Sequence, residues 1–128
     1  MKTLVGNASI DAIYFGGARG ADTEALKAAL EFRADKRPWL VVVVPDTVSR
    51  QPRETHEWTR KADEVIELHA AITKDDGFAS FKKRNVFLVD IASFLVAFWA
   101  GDYSTGTGHA VRYAEKDGLV VYKIPIRC

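Results

Sequence analysis

Two glycine-bearing segments hold the residue types best suited to chemistry. The first is Phe15-Gly16-Gly17-Ala18-Arg19-Gly20-Ala21-Asp22, between an apolar run and a helical pattern. The second is Gly101-Asp102-Tyr103-Ser104-Thr105-Gly106-Thr107-Gly108-His109, in the same kind of setting near the other end. Small residues let backbone N–H groups approach an anion closely, and a helix N-terminus behind them adds a favourable dipole. Arg19 stands among small residues, where its guanidinium could pair with a phosphate through two N–H groups or could be solvated. Ser104 and Thr107 offer hydroxyl and backbone donors to an anion, and the same groups can cap the following helix. Two such loops at the carboxyl edge of one sheet would grip one phosphorylated ligand between them. The plainer alternative is a pair of ordinary glycine turns.

His109 falls at the first turn of a helical pattern, where the dipole disfavours its cation. It could donate to a phosphate oxygen or act as an acid or base near neutral pH, although no carboxylate is adjacent. His56 reads as exposed, and His69 reads as a core histidine on an apolar stripe. Three scattered histidines and a single cysteine, Cys128, do not make a metal site, and no cofactor is indicated.

The elements that must position these groups alternate along the chain. Asp11 to Phe15 reads as a strand ending in the first glycine loop. A helix follows from Asp22, with Ala25, Leu26, Ala29 and Leu30 on one face. Trp39 to Val44 is a continuous β-branched run, as expected of a strand covered on both faces. Thr47 to Glu54 reads as an excursion loop, and a helix is predicted from about Thr55 to Thr73, with Trp58, Ala62, Val65, Ile66, His69 and Ile72 on its stripe. Phe81 to Ile91 reads as a short helix, Phe94 to Trp99 as a buried strand, Thr107 to Asp117 as a helix stopped by Gly118, and Leu119 to Ile124 as the last strand. Trp39, Trp58 and Trp99 are expected to pack, with base stacking as the alternative for Trp99. Strand–helix alternation with continuous apolar strands argues for a parallel sheet flanked by helices, with both glycine loops on the ligand-binding edge.

At 128 residues the chain has the size of a single domain, residues 1–128. With 18 Lys plus Arg against 17 Asp plus Glu, the net charge is +1, which supplies no strong attraction for duplex nucleic acid. No apolar run approaches the ~20 residues of a membrane span, and the start lacks a signal-peptide core, so the expected location is cytoplasmic.

Three short motifs occur in order: Gly16-Gly17-Ala18-Arg19-Gly20-Ala21-Asp22, then Arg84-Asn85 before Val89-Asp90, then Ala97-Phe98-Trp99-Ala100-Gly101 leading to Ser104-Thr105-Gly106-Thr107. In this order the chain resembles the SLOG superfamily, with the YspA-like branch the closest pattern. The same superfamily holds the LOG phosphoribohydrolases and the DprA-type DNA-processing proteins. The resemblance implies an α/β, Rossmann-like parallel sheet with helices on both faces, and a nucleotide or nucleotide derivative as ligand. Carried over by position, Gly17, Arg19, Gly20 and Asp22 would belong to the first phosphate loop. Arg84 and Asn85 would line the pocket side, and Ser104, Gly106 and Thr107 would form the second cradle. Asp22 could contact a ribose hydroxyl or serve as an N-cap. Asn85 could hydrogen-bond a base or fix a loop.

Two departures qualify what the resemblance implies. Only about eleven residues precede the first glycine-loop strand, fewer than a parallel crossover takes, so the first βα unit is expected to be shortened. A symmetric homodimer could cover what that leaves open. The hydrolytic branch also carries a glutamate shortly after its Gly-Thr, whereas here Gly106-Thr107 leads into Gly108-His109-Ala110. Cleavage of an N-glycosidic bond needs a carboxylate to stabilise an oxocarbenium-like sugar or a base to activate water. A nucleotide binder is therefore the favoured reading, a nucleotide N-glycosidic hydrolase or transferase the alternative, and a DprA-like single-strand DNA binder the third.

Overall fold

The computed structural model describes residues 10–16, 21–35, 37–70, 79–99 and 101–125. The chain divides into two compact units, Met1–Ala70 and Ala71–Cys128. The described residues form a mixed α/β structure with parallel strands in two small sheets.

In the first unit, β1 (Ala12–Phe15), β2 (Trp39–Val44) and β3 (Glu64–Glu67) form a parallel sheet in the order β1-β2-β3. Helix α1 (Ala21–Phe32) connects β1 to β2. Two single-turn 3-10 segments, Val48–Arg50 and Arg53–Thr55, and the short helix α2 (His56–Lys61) connect β2 to β3. Leu40 to Val44 are all at most 2% exposed, as a β-branched strand between two neighbours requires. On one face of the strand, Leu40, Val42 and Val44 form a core with Phe15, Leu26 and Ala29, with Ala25, Leu30 and Trp58 packed against the cluster.

One buried ion pair fastens this unit. The Asp63 carboxylate accepts from both terminal nitrogens of Arg33 and from the Leu40 N–H at 2.8 Å. Arg33 also donates to the Pro38 carbonyl at 3.4 Å. A residue just past α1 is thereby tied to the starts of β2 and β3.

The predicted long helix from Thr55 to Thr73 is corrected. The helix stops at Lys61, Ala62 is extended (φ −65°, ψ 158°), and Glu64–Glu67 pairs with β2 in the register Val41↔Glu64 to Val44↔Glu67. Val65 and Ile66 are β-branched, and pairing with an otherwise open edge of β2 outweighs their place on a helical stripe. His69 is corrected with it: it is exposed, at φ +54°. Trp39 is also more open than expected, 40% exposed, with its indole N–H donating to Glu64 at 3.3 Å. His56, expected to be exposed, is half-buried with Nε2 2.9 Å from the Gln51 carbonyl.

In the second unit, α3 (Ala79–Ile91) precedes β4 (Phe94–Trp99), α4 (Gly106–Lys116) and β5 (Val120–Pro125). Strands β4 and β5 are parallel, in the register Phe94↔Val120 to Trp99↔Pro125. Val111 of α4 packs on Ala97, with Leu95 and Val121 beside them. Helix α4 ends at Lys116 with Asp117 as C-cap; Gly118 follows at φ +77°, which suits glycine, and Leu119 N–H closes back on the Ala114 carbonyl at 2.9 Å. Tyr113 donates to Asp90 at 2.9 Å and ties α4 to α3; that bond raises the phenol's pKa. Val120, Tyr122 and Ile124 alternate along the exposed face of β5. No helix among the described residues is long and apolar enough to cross a membrane.

Candidate functional site

The site is built on the turn between β4 and α4. A parallel strand delivers the chain to its carboxyl end, and the next helix starts with its first amides unpaired. Thr105 is the N-cap: its extended backbone (φ −81°, ψ 166°) and its Oγ1, which accepts from Gly108 N–H at 3.0 Å, start the helix. The Thr105 hydroxyl donates in turn to the Asp102 carbonyl at 2.8 Å. His109 N–H reaches the Thr105 carbonyl at 2.9 Å. This leaves Gly106 and Thr107, both exposed, with amides at the open end of the helix and the Thr107 hydroxyl beside them.

Gly108 is glycine for a steric reason. A Cβ there would fall on the Asp102 carbonyl oxygen and lie 2.5 Å from the Tyr103 Cα. The turn can therefore fold tightly over the helix start only without a side chain at this position. Tyr103 holds the outer side. Its ring lies 4.9 Å from the Arg112 guanidinium, and its hydroxyl donates to Glu115 at 3.3 Å. Glu115 also receives Lys123 at 3.3 Å. It is thus engaged on the flank of α4.

Ser104 is committed within the turn. Its N–H and its hydroxyl both donate to Asp102 Oδ1, at 2.9 and 2.7 Å. These bonds, the hydroxyl first and the amide second, hold the Asp102 carboxyl below its ordinary range. The turn thus carries a negative charge four residues before Gly106, whose amide and that of Thr107 have no hydrogen-bond partner among the described residues.

His109 is half-buried one turn into α4. Its buried Nδ1 has no hydrogen-bond partner among the described residues. Its pKa is lowered, first by burial and then by the positive charges of Lys82 and Arg112, so the ring is neutral at pH 7. Among the described residues no carboxylate orients it, and a neutral imidazole in this setting can offer a hydrogen bond to a ligand.

Arg84 and Asn85 are both buried on α3, and Asn85 reaches the same turn. Arg84 Nε donates to Asn85 Oδ1 at 3.1 Å, and Asn85 Nδ2 donates to the Gly106 carbonyl at 3.1 Å. Of the two roles open to Asn85, fixing a loop is the one its contacts perform. The Arg84 guanidinium lies 5.9 Å from the Phe81 ring.

No match was found among models of known protein families, curated proteins or solved structures. The functional reading of the turn accordingly stands on its residues and their chemistry.

The structure thus gathers Asn85, Ser104, Gly106, Thr107 and His109 around one turn. Gly17, Arg19 and Gly20 lie outside the described residues, as does the N-terminal segment expected to be shortened, residues 1–9. The side chain of Trp99 is also outside them. Asp22 lies in the first turn of α1, which begins at Ala21, so it is not the residue ahead of the helix that an N-cap would be. Sequence reasoning passed over Asp102, Thr105 and Gly108. The signal for Asp102 was available: Asp followed two residues later by Ser is an Asx-turn pattern.

A different concavity, of about 690 Å³, lies in the first unit between Lys27, Leu30, Glu31, Trp58 and Lys61. The ammonium groups of Lys27 and Lys61 sit 4.9 and 4.4 Å from the Trp58 ring centre. Each is also paired, with Glu24 and Glu57 respectively, so the charge available to an anion is small. It contains none of the residues predicted to bind. Among the described residues, no group of three His, Cys, Asp or Glu side chains could hold a metal ion.

Proposed function

We propose that this chain binds a nucleotide or nucleotide-derived phosphorylated ligand, with a phosphate received at the β4–α4 turn. The observation that carries the reading is the exposed pair of amides at Gly106 and Thr107, at the capped N-terminus of an eleven-residue helix that follows a parallel strand. Partial positive charge collects there, and an anion satisfies donors that the helix cannot. The Thr107 hydroxyl adds a further donor, and the positive charges of Lys82 and Arg112 felt at His109 favour an anion nearby. Arg19 enters the proposal by its residue type and its place in the first glycine loop. The SLOG superfamily, YspA-like assignment, the Rossmann-like fold and the cytoplasmic setting belong to the same proposal.

A nucleotide N-glycosidic hydrolase is less well supported. The carboxylate on the turn, Asp102, is held below the usual range and is engaged by Ser104, which makes it a poor base. Glu115 is engaged by Tyr103 and Lys123.

Thermal-shift and calorimetric titration with nucleoside monophosphates, nucleoside diphosphates and ADP-ribose tests the proposal, with free base measured in the same mixtures. Binding raises the melting temperature in a ligand-dependent way, and no base appears. Arg19→Ala removes the shift. Released base would establish the hydrolase instead, and salt-dependent binding of an oligonucleotide in place of mononucleotides would establish the single-strand DNA binder. If none of these ligands shifts or titrates the protein, the proposal falls.

A further inference from the structure

The buried stripe of α3 is polar where a packing helix is ordinarily apolar. Its buried residues are Ser80, Arg84, Asn85 and Val89, and three of these four are polar. Burying an arginine and an asparagine is costly unless their hydrogen-bonding groups are used. Here they form a relay that ends on a single backbone atom, from Arg84 Nε to Asn85 Oδ1 and from Asn85 Nδ2 to the Gly106 carbonyl, each 3.1 Å long. A guanidinium only donates and a carbonyl only accepts, so the carboxamide can sit in one orientation.

The target of the relay gives it a consequence. The Gly106 carbonyl and the Thr107 N–H belong to one planar trans peptide, in which they point in opposite directions. Whatever fixes the carbonyl fixes the aim of the N–H. Gly106 has no side chain to hold it, and nothing lies within 4 Å of where one would begin. The Thr105 cap secures the turn through the Gly108 amide. As the first carbonyl of α4, the Gly106 oxygen also accepts within the helix ladder from four residues on. The Asn85 bond adds a second, side-chain anchor to the peptide between Gly106 and Thr107, one of the two amides that the proposed phosphate would use.

We infer that Asn85 is a positioning residue: through its bond to the Gly106 carbonyl it aims the Thr107 N–H of the β4–α4 turn outward, with the buried Arg84 holding its carboxamide in register. The functional part of this inference rests on the proposed phosphate site; the structural part does not.

The test compares wild type, Asn85→Ala and Asn85→Asp by amide hydrogen exchange and by NMR titration with inorganic phosphate. Asn85→Asp keeps the shape and the pairing with Arg84 but cannot donate to Gly106, so it separates donation from packing. Both variants speed exchange of the Gly108 and His109 amides by roughly five- to tenfold, the worth of one net hydrogen bond, while the Leu119 amide at the other end of α4 keeps its rate. Both also weaken phosphate binding, followed at the Thr107 amide, by at least about fivefold. Unchanged exchange at Gly108 and His109, acceleration spread evenly over the second unit, or an Asn85→Asp variant that behaves as wild type would overturn the inference. Should a variant fail to fold, the wild type decides: a donating Asn85 carboxamide exchanges slowly, and one exchanging at the rate of a free amide contradicts the relay. If wild type binds neither phosphate nor nucleotide while the exchange pattern holds, the proposed function fails and the positioning role stands.

Discussion

Asp102 accepts two hydrogen bonds from Ser104, one from its amide and one from its hydroxyl, and so places a carboxylate inside the turn that offers its neighbouring amides to an anion. The bonds serve the fold of the turn, while the charge opposes a phosphate. An asparagine in its place keeps the acceptor oxygen and removes the charge. Asp102→Asn is therefore expected to bind inorganic phosphate or a nucleoside monophosphate roughly three- to tenfold more tightly at low salt, with the gain shrinking toward 1 M salt. Asp102→Ala loses both bonds and should gain less or bind more weakly. Calorimetry at two ionic strengths measures this. Equal affinity of Asp102→Asn and wild type at low salt would mean that no anion approaches the turn.

Two glycines separated by one residue should respond differently to the same substitution. Gly106 has open space where a Cβ would stand, whereas a Cβ on Gly108 would meet the backbone of Asp102 and Tyr103. Gly108→Ala must push the turn away from the helix and should cost about 1–3 kcal/mol, seen as a lower denaturation midpoint. Gly106→Ala is expected within about 0.5 kcal/mol of wild type. A Gly108→Ala protein as stable as wild type would show that the turn does not sit over the helix start.

What the chain revealed of itself before folding depended on how local the determining forces are. Trp39–Val44 and Phe94–Trp99 were readable to the residue, because runs of β-branched and aromatic residues between turn formers have few alternatives. The start of α4 was nearly as clear. Val65 and Ile66 were misread because the choice between a fourth helical turn and a strand was made by an open edge of β2, contributed from more than twenty residues away. The cap on α4 was readable in kind but not in identity. Ser104, Thr105 and Thr107 all carry hydroxyls, and only backbone geometry selects Thr105. Asp102 escaped notice because an anion cradle is not where a carboxylate is sought. The placement of Asn85 against Gly106 is a contact between residues far apart in sequence, and spacing alone does not reveal it.

The stability of the first unit should hinge on Asp63. Its carboxylate serves Arg33 and the Leu40 amide together, and both side chains of the pair are almost completely hidden, 10% and 4% exposed. Removing one partner of such a pair leaves the other charge buried without compensation, which costs about 3–5 kcal/mol. Asp63→Ala is expected to unfold the first unit at much lower denaturant. Asp63→Asn, which can still accept from Arg33 and Leu40, should lose less. Denaturation followed by Trp39 and Trp58 fluorescence reads the difference. Equal losses for the two variants would show that charge, rather than hydrogen-bond acceptance, dominates the site.

His109 should impose a pH dependence on the second unit. Its folded-state pKa lies below the ordinary 6.5, because burial and the charges of Lys82 and Arg112 disfavour the imidazolium. The unfolded chain therefore takes up a proton before the folded one does. The sign follows by linkage: stability is full above pH 6.5 and falls as pH drops through 6.5 toward the lower folded value, below which the loss is complete. A group that stays largely neutral in both states at pH 7 contributes nothing there. His109→Gln keeps a polar side chain of similar reach without a titrating ring, so it should flatten the fall in melting temperature just below pH 6.5 and leave pH 7.5 nearly unchanged. If the two proteins lose stability in parallel across that window, His109 is not the group that titrates. If binding of sulfate, which stays a dianion throughout this range, is followed over the same window, protonation of this ring one turn into α4 should strengthen it, since the imidazolium adds a positive charge near the helix start.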